Sequence, residues 1–376
     1  MARLRFRQEF LLGGILLWSF GIGQCTVVEQ QAPIAALQKE VTQQPISRAD
    51  LFKAYGWTKP DQQKALCQLL KFASVQVDTT HLEKEWPQEE ILNWLLELIR
   101  ETQAKFWNRA GGKERWQVGP LSWMVNNTNA SWDCLKTLGF VSAVEPKNGS
   151  RGTVCLLGAA KGRMQARLQF LKELINRGKL QVEKLVLLSG ERLVTEKVDG
   201  SREELEKIAH FSHKDSWEKV TEMDILRYLV DQDPELKKLP IVVVDTKAQQ
   251  KSDGTWARPT TQSTVAKWLE ESPADGPVYF ISSQPHVQPQ TAGILSVFKA
   301  KKMPDGEIQT IGAEFAAETP TAQMVKQGAE ALGGALRAMA PMVLARLGIA
   351  LPNKIKEDFV ELYKNDPYLL AIVERL

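Results

Sequence analysis

Small, polar and charged residues follow four short apolar runs in the middle of this 376-residue chain. They are Gly158, Lys161, Arg163, Arg167, Ser189, Gly190, Glu191, Asp245, Ser283 and His286. If the four runs are parallel strands, their carboxyl ends meet at one edge of a sheet, which is where open α/β sheets bind ligands. We therefore expect these residues to lie around one binding site.

The segment after the first run has the composition of an anion site. Gly158 and Gly162 permit a tight turn, and the helix that follows directs free N–H groups and the positive end of its dipole at the loop. Lys161, Arg163 and Arg167 add positive charge, and residues four apart share one face of a helix. The loop matches neither the GxxxxGK[ST] pattern of a P-loop nor the GxGxxG pattern of a dinucleotide fold. A glycine turn with solvated arginines is the structural alternative.

His286 is the only one of the chain's four histidines that follows an apolar run. An exposed imidazole titrates near neutral pH and suits proton transfer. A hydrolase triad would need Ser283, His286 and Asp245, but the sequence has no GxSxG elbow to present the nucleophile. We favour a histidine that caps a helix or contacts a ligand. His286, Glu222 and Glu191 are the candidate catalytic residues, which would position or polarise a bound molecule.

The four apolar runs alternate with helical periodicity. The runs are Thr153–Leu157, Lys184–Leu188, Ile241–Val244 and Val278–Ile281, and the helical segments are Met164–Asn176, Trp217–Val230, Thr261–Glu270 and Gln288–Lys299. Unbroken apolar runs of this length are typical of strands that are buried on both faces. The alternation predicts an α/β domain over residues 150–315, with a Rossmann-like parallel sheet of at least four strands and helices on both faces.

Residues 47–145 are predicted to form a helical region rich in tryptophan. Pro60 and Pro87 begin segments with apolar residues three and four positions apart. Seven of the chain's eleven tryptophans lie in this region. Indoles more often pack in a core than line a groove for a sugar or peptide, so we favour core packing and keep the groove as an alternative.

Residues 320–376 are predicted to form C-terminal helices. The segment Ala329–Leu351 is rich in small and apolar residues but contains Arg337, Pro341 and Arg346. These interruptions favour two packed helices over one helix that lies on a membrane. Asp366 and the proline after it predict the start of a last short helix.

The first 25 residues have the pattern of an export signal. Basic residues up to Arg7 precede an apolar stretch from Phe10 to Ile22, and small residues follow. The stretch is short for a hydrocarbon layer of about 30 Å, so we favour a signal peptide over an uncleaved membrane anchor. A lipoprotein signal with Cys25 lipidated and a buried helix of a cytosolic protein are less favoured interpretations. Residues 26–46 would then form a polar linker, and the N-terminal segment is the expected contact with the membrane.

Charge and cysteine content exclude several classes of partner. A net charge of +3, with 48 basic and 45 acidic residues, gives no nucleic-acid footprint. Cys67, Cys134 and Cys155 are an odd number, which argues against a disulfide framework, and no Cys/His spacing indicates a metal site. A bridge between Cys67 and Cys134 is conceivable in an oxidising compartment, although three buried thiols are favoured.

Five segments of residues 150–300, taken in their order along the chain, carry a resemblance to a known family. They are Leu156-Leu157-Gly158 with Arg163 and Arg167, Leu188-Ser189-Gly190, Thr221-Glu222-Met223, Thr260-Thr261-Gln262-Ser263-Thr264 and Ile281-Ser282-Ser283-Gln284-Pro285-His286. In this order they resemble the YdcF-like family of bacterial envelope proteins, the SanA and ElyC type. The resemblance implies a Rossmann-like fold, a location in the bacterial cell envelope, and S-adenosylmethionine or another nucleotide-like ligand as one cofactor. Gln290 stands where the family has an arginine.

We therefore predict an envelope protein that binds a small anionic ligand at the carboxyl edge of the sheet. The ligand would be nucleotide-like or a phosphorylated precursor of the cell envelope. The alternative is a non-catalytic interaction protein that keeps the fold with a degenerate site, and Gln290 favours it.

Overall fold

A computed structural model describes residues 45–107, 118–250, 254, 256–272, 276–304, 307–315 and 319–376. The predicted export signal, and the polar linker up to residue 44, lie outside the described residues. No helix within the described ranges combines the length and the apolar character needed to cross a membrane.

The chain alternates helices and strands in its middle and is helical towards both ends of the described part. The strands are β1 (Ile46–Ser47), β2 (Glu85–Trp86), β3 (Ser150–Leu157), β4 (Leu180–Gly190), β5 (Ile241–Thr246), β6 (Gln249–Gln250), β7 (Trp256–Ala257), β8 (Val278–Ser283) and β9 (Ile308–Ala313). The helices are α1 (Arg48–Ala54), α2 (Pro60–Phe72), α3 (Gln88–Thr102), α4 (Ser122–Asn126), α5 (Thr128–Thr137), α6 (Lys161–Asn176), α7 (Glu196–Asp199), α8 (Arg202–Phe211), α9 (Glu222–Asp231), α10 (Thr261–Glu271), α11 (Val287–Ala300), α12 (Ala322–Arg346), α13 (Asn353–Tyr363) and α14 (Pro367–Val373).

Strands β3, β4, β5, β8 and β9 form a five-stranded parallel sheet in the order β5-β4-β3-β8-β9. The chain therefore adds strands on one side of β3 and then crosses to its other side, which is the order of a Rossmann-like fold. The predicted fold class is confirmed, and each predicted strand lies within an observed one. The order reverses between β3 and β8, and a ligand is expected in the crevice beyond their carboxyl ends.

Burial on both faces of the sheet explains the apolar runs of β3, β4 and β8, whereas the edge strand β5 keeps two exposed apolar residues, so burial on both faces was predicted wrongly for that run. Leu156 and Ile281 pack with α6, α8 and α9 on one face, whereas Cys155 and Phe280 pack with α10 and α11 on the other. Successive strand residues point to opposite faces, so a strand covered on both sides is apolar at every position. One predicted helix is shorter than expected, since α9 begins only at Glu222.

The helices before and after the sheet domain share one hydrophobic core. Apolar residues of α1 to α5 pack there against α12, α13 and α14. Trp57, Trp94 and Trp132 are buried in this core, and Trp86 and Trp123 are half-buried against it. The prediction that the tryptophans are packing residues is confirmed for these five. The Trp107 side chain and the whole of Trp116 lie outside the described residues.

The prediction of two helices around Pro341 is wrong, because α12 runs through the proline as a single helix of 25 residues. A proline removes one N–H and so leaves the carbonyl four residues earlier without its helical donor. Here that carbonyl belongs to Arg337, and the Tyr363 hydroxyl of α13 donates to it over 2.6 Å. Buried neighbours such as Ala340 and Val343 hold the helix in the core on both sides of the proline.

The three described cysteines are free thiols. The bridge between Cys67 and Cys134 is therefore not formed, and these two thiols are half-buried whereas Cys155 is buried. Burial raises the pKa of the Cys67 thiol to about 11, which keeps it protonated and poorly nucleophilic near neutral pH.

Replacing Tyr363 with phenylalanine tests how α12 tolerates Pro341. The change leaves the partly buried Arg337 carbonyl without its donor, so the free energy of unfolding should fall by about 0.5–1.5 kcal/mol. Tyr55→Phe is the matched control. The Tyr55 hydroxyl donates to the Leu336 carbonyl over 2.9 Å, but that carbonyl keeps the N–H of Ala340 as a helical donor. Urea unfolding of both variants measures the difference, and an equal loss would contradict this explanation.

Candidate functional site

A cavity of about 620 Å³ lies beyond the carboxyl ends of β3 and β8, where the strand order reverses. The described residues that line it are Gly158, Ala159, Ala160, Arg163, Arg167, Arg192, Val198, Arg258, Thr260, Thr261, Gln262, His286, Pro289, Gln290, Gly293, Gln323, Gln327, Glu330 and Ala331. Its volume falls within the range of small-molecule sites, about 300–1,000 Å³. Four of the predicted site residues line it, namely Gly158, Arg163, Arg167 and His286.

Arg167 is a buried charge at the base of this cavity. Its side chain is only 1% exposed. One terminal nitrogen donates to the carbonyl oxygens of Leu157, at 2.6 Å, and Gly158, at 2.9 Å. The Nε–H has no hydrogen-bond partner among the described residues. Burial, and then the neighbouring charge of Arg163, lower the pKa of Arg167 from its ordinary value of 12.5 to about 9.

Arg163 lies one helical turn before Arg167 and joins two walls of the cavity. Its terminal nitrogen donates to the Gln327 side-chain oxygen of α12 over 3.3 Å. Arg163 and Arg167 therefore face the cavity together, as the spacing of four residues predicts. Lys161 does not join them, because it is turned about 160° around the helix axis from Arg163. Its ammonium group instead forms an ion pair with Glu204 at 3.0 Å.

Arg192 lines the cavity from the loop after β4 and is held by two carboxylates. It donates through both terminal nitrogens to Asp199, each over 2.7 Å, and through Nε to Glu222 over 2.6 Å. Burial opposes its charge, but the hydrogen bonds to Asp199 and the charge of Glu222 raise its pKa. Burial likewise opposes the charge of Asp199, whereas the hydrogen bonds from Arg192 lower the pKa of that carboxyl group. This guanidinium is therefore firmly charged and neutralised within the protein.

Glu222 lies behind the loop at Gly158 rather than in the cavity lining. The carboxylate is buried and accepts a hydrogen bond from the Ser189 hydroxyl over 3.3 Å. A Cβ atom at Gly158 would come within 2.4 Å of the Glu222 carboxylate and 2.5 Å of the Ser189 hydroxyl. The glycine is thus required by this close approach. Glu222 and Ser189 support the loop from the sheet side.

The other predicted residues lie at the strand ends but outside the lining. Glu191 accepts from the Ala248 N–H over 3.0 Å, and Asp245 accepts from Lys247 over 2.7 Å. Gly190 lies against Pro259, and the Ser283 hydroxyl is buried with no partner among the described residues. Neighbouring residues at a strand end point in different directions, so a position after a strand does not by itself place a side chain in the crevice.

Several lining residues were not predicted from the sequence. Arg192 directly follows the predicted site residue Glu191, and its positive charge after a strand is the sequence signal that indicates a place in the site. Arg258 reaches the cavity from the loop before α10 and lies 3.5 Å from the Glu222 carboxylate. Gln290 lines the cavity and accepts a hydrogen bond from the Ser282 hydroxyl. The residues of α12 had no sequence signal, because they belong to a region predicted to be separate.

Three helices begin at the cavity. The residues that precede α6, α10 and α11 are Ala160, Thr260 and His286, and all three line it. The first turns of these helices contain no acidic residue. Helix N-termini carry partial positive charge and unpaired N–H groups, which attract anions. The first turn of α6 even carries Arg163, so positive charge is concentrated where a helix alone would favour negative charge.

Comparisons with protein-family models, curated proteins and solved structures find no match for this chain. The resemblance to the YdcF-like family therefore stays a prediction.

Replacing Gly158 with alanine tests the close approach at the loop. The added methyl group would collide with the Glu222 and Ser189 side chains, so the free energy of unfolding should fall by about 1–3 kcal/mol. Gly162→Ala is the matched control, because nothing lies within 4 Å of its Cβ position. That variant lies in α6 and should be neutral or up to about 1 kcal/mol more stable. Equal stability of the two variants would refute the steric explanation.

Proposed function

We propose that this protein binds a small anionic molecule, with its phosphate or carboxylate group held at the N-terminus of α6 by Arg163 and Arg167. The observation that carries the proposal is the buried and poorly compensated charge of Arg167. This guanidinium is buried at the cavity, its hydrogen bonds go to backbone carbonyls, and its Nε–H has no partner among the described residues.

Burial of a charge is costly unless the charge is compensated. The lowered pKa of Arg167 reflects this cost, because its surroundings disfavour the charged form. A bound anion would supply negative charge and an acceptor for the Nε–H. The poorly compensated charge of Arg167 is therefore a source of binding energy for an anion.

The carboxylates around the cavity are occupied by other partners. Asp199 and Glu222 hold Arg192, and Glu330 forms a buried ion pair with Lys326 at 2.9 Å. Because these carboxylates are paired elsewhere, the end of the cavity beside α6 keeps the positive charge of Arg163 and Arg167. The three helix N-termini act in the same direction as the arginines, so the field at this end favours a ligand with negative charge.

His286 follows β8, the strand that pairs with β3, and it lines the same cavity as Arg163 and Arg167. It precedes α11 and is buried. Its position suits contact with the same ligand. The predicted export signal would place this binding protein in the cell envelope, and a nucleotide-like ligand falls within the proposed class of anions. The rival function is an interaction protein with a degenerate site, which would bind no anion here.

Replacing Arg163 with alanine should weaken anion binding without unfolding the protein. Loss of one charge-assisted hydrogen bond costs about 1–3 kcal/mol of binding free energy, or roughly 5- to 150-fold in affinity. Calorimetry with sulfate and with pyrophosphate measures the loss, and thermal unfolding should be little changed. Arg202→Ala is the control, because that arginine is exposed on α8 and pairs with Glu206. Unchanged anion affinity in Arg163→Ala would remove this arginine from the site.

The affinity for sulfate should depend on pH through Arg167. Sulfate does not titrate in the alkaline range, and it binds the charged guanidinium. Since the pKa of Arg167 is lowered to about 9, affinity should fall as the pH rises from 8 through 9. Binding should also take up protons near pH 9, because the anion raises that pKa. The Arg167→Met variant should bind weakly with no such decline. A flat profile in the unaltered protein would contradict the role given to Arg167.

A further inference from the structure

The wall of the cavity that α12 forms carries two amide side chains, beside Glu330 and Ala331. Four glutamines are among the described residues that line the cavity, and two of them, Gln323 and Gln327, lie four residues apart on α12. Residues at this spacing are neighbours on one helix face, with about 5–6 Å between their Cβ atoms. The pair begins beside the anion end, since Gln327 accepts from Arg163.

Three of these amides retain donors that the described residues do not use, whereas the Gln262 NH₂ group donates to Ser296 and Asp366. Gln323 makes no hydrogen bond within the described part of the chain, and Gln327 uses only its oxygen, for Arg163. Gln290 also uses only its oxygen, which accepts from Ser282. The free NH₂ groups are donors, and the free amide of Gln323 is both a donor and an acceptor. Groups of this kind pair well with hydroxyl groups.

None of the described residues that line the cavity is phenylalanine, tyrosine or tryptophan. Aromatic faces are the usual platform on which proteins stack a base, and they contribute about 1–3 kcal/mol per base. The hydroxyls of Thr260 and Thr261 add further polar groups to the lining instead. The polar groups of the described lining therefore suit a ligand rich in hydroxyl groups better than they suit a nucleobase.

We infer that the ligand is a phosphorylated sugar or polyol. Its phosphate binds at Arg163 and Arg167, and its hydroxyl groups form hydrogen bonds with the side chains of Gln323 and Gln327. This inference rests on the proposed anion site and names its substrate class. Because the Gln327 oxygen lies 3.3 Å from a terminal nitrogen of Arg163, a sugar whose phosphate binds Arg163 has its ring hydroxyls beside α12. Gln323 and Gln327 are then the residues that determine specificity.

Calorimetry with the intact protein tests the inference. The probes are inorganic phosphate, adenosine monophosphate, and a panel of hexose 1- and 6-phosphates with sorbitol 6-phosphate. At least one sugar or polyol phosphate should bind about tenfold more tightly than inorganic phosphate, which is the contribution of one or two neutral hydrogen bonds. It should also bind more tightly than adenosine monophosphate.

The Gln323→Leu variant separates sugar recognition from phosphate binding. Because Gln323 is exposed and makes no hydrogen bond among the described residues, the variant should fold normally. It should lose about three- to tenfold in affinity for the best sugar phosphate and keep its affinity for inorganic phosphate. Gln169→Leu, on the solvent side of α6, is the control and should change neither affinity.

The outcomes distinguish this inference from the proposed function. If inorganic phosphate binds and no sugar or polyol phosphate exceeds it, the substrate class is wrong and the anion site stands. Tighter binding of adenosine monophosphate than of every sugar phosphate would overturn the substrate class in favour of a nucleotide. If none of the probes binds, both the anion site and the substrate class are overturned.

Discussion

The buried contact between Glu222 and Arg192 is the interaction on which the carboxyl edge of the sheet depends. Glu222 begins α9 and lies against the loop that follows β3, while Arg192 belongs to the loop after β4 and also holds Asp199. One cluster thus joins two strand ends to α7 and α9. Loss of Arg192 would take the buried guanidinium from two buried carboxylates at once, which is far more costly than loss of a surface ion pair. The loop at Gly158 keeps its shape because this cluster lies directly beneath it.

The cluster also divides the arginines of the site between two roles. Arg192 is neutralised by carboxylates and serves the structure, whereas Arg167 is held by carbonyl oxygens and keeps an N–H that no described residue accepts. Carbonyl dipoles orient a guanidinium without cancelling its charge. The positive potential at the N-terminus of α6 therefore survives in the folded protein, as the proposed anion site requires.

Helix α12 converts an open crevice into a cavity. A parallel sheet alone presents its carboxyl edge to solvent, but Gln327 and Glu330 of α12 lie across this edge. The helix can take that position because Leu332 and Leu336 are buried in the core that it shares with the tryptophan-rich helices. The helical regions on either side of the sheet domain thus position one wall of the site. A ligand that contacts both walls would be sensitive to how firmly α12 is held.

Sequence patterns alone determined the fold class, four of the five strands of the parallel sheet and the cluster formed by Arg163 and Arg167. Those features follow from local rules, namely burial on both faces of a strand and a helical repeat of 3.6 residues. Tertiary structure alone decided that Arg192 points into the crevice while Glu191 turns away, because a strand end fixes the position of a residue and not the direction of its side chain. It also decided the continuity of α12 through Pro341, since the donor that replaces the missing N–H is a tyrosine 26 residues from Arg337 along the chain. Tertiary structure also placed Gln323 and Gln327 of α12 beside the arginines. Gln327 contacts Arg163 across 164 residues of sequence, and no local pattern encodes a contact at that separation.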